Sequence, residues 1–342
     1  MKRAFFFKGC ETVLKSLVTG GAGFIGSHLV EYLLNKDHEV IIIDNLSTGR
    51  TQNLDLIQGN KNRMRFVQAD VASDDITQYF EGVDYVFHLA ALANVVPSIQ
   101  NPLEYHRANV DGTVRVLESA KAHNVKKFVY TASSSCYGIP SLFPTPETAE
   151  IRLEHPYALT KYIGEQYVLH WGKVYNLPVI SLRLFNVYGP RAAISGSYGA
   201  VFGIFLTQKI YNKPFTVVGD GSQTRDFTYV TDVTKAYYAA AVSDCSGEIL
   251  NVGSGKTYSI NRIVELLGGD KVYIPKRPAE PDCSLADISK IGKYLNWSPE
   301  VSFEQGISFL LRNIDYWREA PLWTEESIAE ITKDWFSYLI KT

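Results

Sequence analysis

The chain has 342 residues, enough for one large or two modest domains with a substantial core, and is 46% hydrophobic and 20% charged with a formal net charge of −2. That balance offers no basic excess for nucleic acid or an anionic membrane surface, and no apolar run approaches the roughly 20 residues needed to span a bilayer. Four cysteines (Cys10, Cys136, Cys245 and Cys283) are scattered without metal-ligand spacing, which suits a reduced cytoplasmic protein and points to no metal site.

Residues 1–12 read as an N-terminal extension: Phe5 to Phe7 are too few for a signal-peptide core, and a short edge segment is the expectation. Residues 13–19 are an apolar run of strand length that enters Gly20-Gly-Ala-Gly-Phe-Ile-Gly26. A helix-like stretch (27–35) follows, then a second apolar run (39–43) that stops at Asp44. This is the pattern of a βαβ unit that binds a dinucleotide. Gly20 makes the tight turn, Gly23 lets backbone amides approach a pyrophosphate, and Gly26 lets the helix pack close to the sheet. Asp44 comes roughly 20 residues after the glycines, where a carboxylate accepts hydrogen bonds from a ribose. The same carboxylate repels the extra phosphate of NADP, so NAD is the expected cofactor, with Arg50 the one nearby cation that could argue otherwise.

Further strands are expected at 65–68 (leading to Asp70 and Val71), 84–90, 127–131 and 179–184. Between them fall a short helix at 74–80 and long helices at 102–123 and from 156 to just before Pro178. Strands alternating with helices imply a parallel sheet covered on both faces, with ligands bound beyond the carboxyl ends of its strands. The fold class is therefore α/β: a Rossmann-type doubly wound parallel sheet over 13–186. A smaller mixed α/β C-terminal substrate domain covers 187–342, part of it returning to the sheet. Within that second part, 195–199 reads as loop, 200–211 as helix, 276–282 as an exposed Pro-rich loop, and 302–319 and 324–340 as closing helices.

The chemistry centres on Tyr157 and Lys161, four apart at the start of a predicted helix and so on one face. A phenol is a poor base at neutral pH, and a nearby ammonium favours the phenolate. Ser133, Ser134 and Ser135 follow the strand at 127–131 on the same sheet edge, where a serine hydroxyl can bond the same substrate oxygen.

With these residues in view, the chain resembles the extended short-chain dehydrogenases/reductases that modify nucleotide sugars, and most of all the UDP-hexose 4-epimerases. The resemblance runs from about residue 14 to 319. It rests on Thr19 to Gly26, Asp44-Asn45, Asp70-Val71, His88 to Ala91, Asn109 to Thr113 and Tyr157 to Lys161. It continues through Asn186 to Pro190, Gly219 to Gly221, Arg225-Asp226 and Ala286 to Lys290. It implies that Phe24, Ile25 and Ser47 join the glycines in cofactor binding, with Asp44 and Asn45 on the adenosine ribose and Asp70 and Val71 beside the adenine. Leu89, Ala90, Ala91 and Asn109 would line the cofactor trough, and Lys161 would also bond the nicotinamide ribose. It also implies Tyr157 as base and Ser133 as its partner at the sugar O4, with Ser134 and Ser135 beside the substrate. Asn186, Arg225 and Arg277 would hold the substrate diphosphate, and Val218 would lie near the base. An Arg225 engaged only with its neighbour Asp226, or solvated, is the simpler alternative for that residue.

Dehydratases of this branch carry an Asp-Glu pair directly after the Ser/Thr, and decarboxylases a nearby Glu; here Ser134 and Ser135 stand instead. The resemblance therefore implies 4-epimerisation of a UDP-hexose through a transient 4-keto sugar. Ser284 aligns where a tyrosine in some relatives restricts the pocket, so a 2-acetamido group is expected to fit alongside the unsubstituted sugar. A 4,6-dehydratase, a 4-keto reductase, an epimerase of a GDP- or dTDP-sugar and a non-catalytic NAD sensor stay open. A homodimer through the two long helices is also implied, whereas the tail after Tyr316 departs from the family and is expected to cover the protein's own apolar surface.

Overall fold

A computed structural model describes residues 13–192 and 201–339. The leader 1–12, the loop expected at 195–199 and residue 340 lie outside the described residues. Seven parallel strands form the central sheet: β1 Lys15–Thr19, β2 Glu39–Asp44, β3 Met64–Gln68, β4 Tyr85–His88, β5 Lys127–Ser133, β6 Val179–Leu184 and β7 Glu248–Val252. Their spatial order is β7-β6-β5-β4-β1-β2-β3. The chain reverses direction of travel at β1, which opens a crevice above the carboxyl ends of β1 and β4.

Alternation along each strand feeds two cores, because successive side chains point to opposite faces. Val18, Val40 and Ile42 pack against Leu29, Val30 and Leu33 of α1 (Phe24–Leu34). On the opposite face Leu17, Ile41 and Ile43 join the cluster of Val116, Leu117 and Ala120 from α2 (Gly112–Ala122) and Val168 from α3 (Pro156–Tyr175). The α3 helix begins where His155 Nδ1 accepts from the Ala158 N–H at 3.2 Å and Pro156 occupies the first turn, and it ends at Asn176 in the left-handed region.

Beyond Tyr188 the chain builds a third, aromatic core over the carboxyl end of the sheet. It contains Phe202 and Phe205 of α4 (Val201–Ile210), Phe215, Phe227, Trp317, and Phe303, Ile307 and Leu310 of α6 (Phe303–Arg312). The chain does return to the sheet. Helix α5 (Val230–Val242) supplies Val233, Ala236 and Tyr237 to the first core, and β7 then pairs with β6.

Four expected elements differ in detail. The helix expected at 302–319 ends as α6 at Arg312 and is followed by a 3-10 turn, Ile314–Trp317. The segment at 74–80 is only a 3-10 turn, Thr77–Phe80. The helix at 102–123 is interrupted by one π turn, Arg107–Asp111, and that turn aims Asn109 inward. The last helix divides into α7 (Glu325–Ile331) and α8 (Lys333–Leu339) at Thr332, whose hydroxyl donates back to the Ile328 carbonyl at 2.7 Å.

Candidate active site

The crevice is a cavity of about 680 Å³ that runs from the glycine turn, past the ends of β4 and β5, to the C-terminal layer. Gly20, Gly23, Phe24, Ile25 and Gly26 line one end. Gly20 has φ +71°, and a Cβ on Gly26 would lie 2.1 Å from the Gly20 carbonyl oxygen, so the helix can approach the turn only with glycine there. Gly23 caps α1 without a side-chain bond, and no acidic residue occupies the first turn, which leaves the helix N-terminus to an anion. A Cβ at Gly23 would meet only the Gly20 carbonyl, at 3.1 Å.

Asp44 is buried, with its carboxylate accepting from the N–H groups of Ala22 (2.9 Å) and Leu46 (2.8 Å). Burial raises its pKa, and those two amides oppose the shift. Asn45, Ser47, Asp70, Val71, Leu89, Ala90 and Ala91 continue the lining. Arg50 also reaches the cavity, but its guanidinium is turned to Glu319 (4.0 Å) and the Tyr316 ring. This end fits NAD, with Asp44 placed against an additional ribose phosphate.

Ser133, Ser135, Tyr157 and Lys161 line the middle of the cavity. Ser133 is the last residue of β5, two residues beyond the expected end, and caps the turn Ser134–Tyr137 by accepting from the Ser135 N–H at 3.2 Å. The Ser133 hydroxyl donates to the Ser135 hydroxyl at 3.0 Å. Burial raises the Tyr157 pKa, and the neighbouring Ser133 side chain works against that rise. The neutral His155 ring, its pKa lowered to about 4 chiefly by burial, stacks parallel to Tyr157 at 5.9 Å.

Lys161 is buried, with its ammonium 4.4 Å from the centre of the Tyr130 ring, and burial lowers its pKa to about 7. The helix comes this close because position 164 is glycine: a Cβ there would lie 2.3 Å from the Tyr130 hydroxyl.

At the far end stand Asn186, Val218, Arg225 and Arg277. Arg225 donates to Glu280 at 2.9 Å rather than pairing with Asp226, whose buried carboxylate is taken by Ser254, Gly255 and Ala286. Arg277 does not sit in an exposed loop: its side chain is 14% exposed, 3.8 Å from Glu280.

Three expected site residues stand off the cavity lining. Asn109 is buried behind the wall, accepting from the Leu92 N–H at 2.8 Å and donating to the Leu92 carbonyl at 2.9 Å, so it shapes the loop after β4 instead of facing it. Ser134 lies in the turn behind Ser133. Ser284 pairs its N–H with the Thr224 carbonyl at 3.1 Å, one layer outside the wall.

Sequence reasoning missed the support under this machinery. Glu165, one turn beyond Lys161, accepts from Arg183 of β6 at 2.5 Å and Ser181 at 2.8 Å. Arg183 also donates to the Tyr137 hydroxyl at 2.9 Å, which donates to Asn251 of β7 at 2.7 Å. An arginine inside the apolar run of β6 was the available signal. Glu280 and Trp335, both on the lining, carried no comparable mark in the sequence.

The family model for the NAD dependent epimerase/dehydratase family matches residues 16–253, more than half of the chain. The chain belongs to this family. It is accordingly an NAD-dependent enzyme of the epimerase type, and its relatives show the range of that type. The UDP-glucose 4-epimerase of Mycolicibacterium smegmatis is 34% identical over 314 residues, 89% of this chain and 99% of that protein. UDP-glucuronic acid decarboxylase 1 of Arabidopsis thaliana is 33% identical over 305 residues, 86% of this chain and 68% of that protein. Among solved structures, the UDP-N-acetylglucosamine 4-epimerase from Methanobrevibacter ruminantium M1 in complex with UDP-N-acetylmuramic acid superposes with a TM-score of 0.82. It is 35% identical, covering 88% of this chain and 99% of that one. The UDP-glucuronic acid 4-epimerase from Bacillus cereus in complex with UDP-glucuronic acid and NAD gives the same TM-score at 34% identity, covering 90% of this chain and 99% of that one.

Proposed function

We propose that this enzyme interconverts the C4 epimers of a UDP-hexose, either UDP-glucose and UDP-galactose or their 2-acetamido counterparts, through a transient 4-keto sugar. The observation that carries the reading is that Ser133, Tyr157 and Lys161 line one cavity whose other end is the glycine cradle. Bound NAD supplies the acceptor, and then the donor, of the hydrogen at C4. Tyr157, held as a phenolate by the Lys161 ammonium, takes the O4 proton and becomes a neutral phenol, while Ser133 donates a hydrogen bond to the same oxygen. The carboxylates on the lining are Asp44 and Asp70 beside the glycine turn, and Glu280 between Arg225 and Arg277. None follows Ser133, where a dehydration would need an acid and a base, so the keto sugar has only the return of hydrogen open to it. Asn186, Arg225 and Arg277 bind the diphosphate and Val218 the base. Ser284 stands off the lining, so its size does not decide between the unsubstituted and the 2-acetamido sugar.

The same reading takes the enzyme as a cytoplasmic homodimer, supported by the free thiols of Cys136, Cys245 and Cys283 and by exposed Leu103, Leu159, Tyr167 and Tyr175 on the two long helices. No helix among the described residues is long and apolar enough to cross a membrane.

The test is incubation of the purified chain with UDP-glucose and UDP-N-acetylglucosamine in turn, products resolved by NMR. The 4-epimer should appear without net NADH, and Tyr157→Phe should slow its formation by roughly 10²–10⁴-fold. Accumulation of a dehydrated keto sugar, or a stoichiometric release of NADH, would refute the epimerase reading.

A further inference from the structure

The C-terminal segment is fastened to opposite rims of the cavity, and nothing in the chemistry above uses it. Near the cofactor end, the Tyr316 hydroxyl donates to Asn53 Oδ1 at 2.9 Å, and farther along the tail Gln208 of α4 donates to the Trp323 carbonyl at 2.9 Å. At the substrate end, Trp335 of α8 donates its indole N–H to the Pro278 carbonyl at 2.8 Å, while Gln100 donates to Asp334 at 2.8 Å. Tyr316, Trp323 and Trp335 all line the cavity, although the family match stops at residue 253.

Trp335 is buried, and the Arg277 guanidinium lies over its ring, 5.5 Å from the centroid. Arg277 and Arg225 share Glu280 at 3.8 Å and 2.9 Å, so two guanidiniums and one carboxylate stand together on the wall. One negative charge leaves this cluster with a net positive charge, suited to an anionic group of the substrate. An arginine stem is long and rotamer-rich, and its placement costs binding energy unless something holds it first. The indole face and the Pro278 clamp do this from two directions.

We propose that Trp335 is a positioning residue of the substrate site, holding Arg277 ready for the diphosphate of the nucleotide sugar. The tail is then part of the binding wall and not merely a cover for apolar surface. This rests on the nucleotide-sugar reading above.

The test uses the full chain with NAD bound and titrates UDP by calorimetry, alongside steady-state kinetics. Trp335→Leu keeps apolar bulk but removes the aromatic face, and should weaken UDP binding and raise KM about tenfold with kcat changed less than twofold. Trp335→Phe keeps the face and loses the N–H, and should recover most of the loss. In an Arg277→Ala background, Trp335→Leu should add little, because the two act as one unit. Unchanged UDP affinity in Trp335→Leu, or losses that simply add to those of Arg277→Ala, would overturn the proposal. Failure of the unaltered chain to bind UDP would instead remove the nucleotide-sugar reading, and this proposal with it.

Discussion

Lys161 and Tyr157 are both driven toward their uncharged forms by burial. In the proposed reaction, losing a single proton from the fully protonated pair gives either neutral phenol with neutral amine or phenolate with ammonium, and only the second would take the O4 proton. With Lys161 lowered from 10.5 to about 7, the pair should lose that proton near neutrality. Below about 7 both groups are protonated and the base is absent, so kcat/KM should fall roughly tenfold per pH unit on the acid side and level off above. Lys161→Met removes the cation, and its acid limb should move above the ordinary phenol range, because burial already raises Tyr157. A pH–rate profile of both proteins checks this; a flat wild-type profile across neutrality would contradict the coupling. That Tyr157, Lys161 and Ser133 come together on one cavity was legible from residue type and spacing. The depth of their burial was not, since Lys161 is covered by Tyr130 of β5, an element the helix meets only in the folded chain.

The β5–turn–α3–β6 unit is held by a buried charge pair rather than by propensity. Arg183 and Glu165 are both almost fully buried, and each bonds further polar groups, so the pair is satisfied. Arg183→Met would leave Glu165 as an unpaired buried carboxylate, at a cost of about 3–5 kcal/mol. Removing both, as Glu165→Leu with Arg183→Met, should recover a large part of that loss. Urea midpoints of the two variants provide the measurement, and equal losses in the single and double variants would show that the pair is not what matters. The expected strand and helix bounds here came from apolar runs, Pro156 and Pro178. What the runs could not reveal is that β6 and α3 are pinned by charge, because Glu165 and Arg183 meet only after the helix crosses back over the sheet.

Across the whole molecule, the cofactor end is built from β1, β2 and their connecting turn, while the substrate end combines loops from both halves of the chain. NAD bound to the folded state alone should stabilise it by about 2.7 kcal/mol at a hundredfold excess over its Kd. The melting temperature should therefore rise by several degrees with NAD and much less with NADP, whose extra phosphate meets the Asp44 carboxylate. An equal shift with both cofactors in a thermal melt would count against Asp44 as the selector.

Periodicity and glycine spacing by themselves determined the parallel sheet, the dinucleotide cradle and the Tyr–Lys helix, because each is written within a short stretch of chain. The tertiary structure alone decided that Arg277 is largely covered, that Arg225 turns to Glu280, that Asn109 and Ser284 stand off the lining, and that the tail reaches the cavity. Those outcomes depend on which distant segment covers a loop, and packing between segments far apart in sequence leaves no periodic trace in either of them.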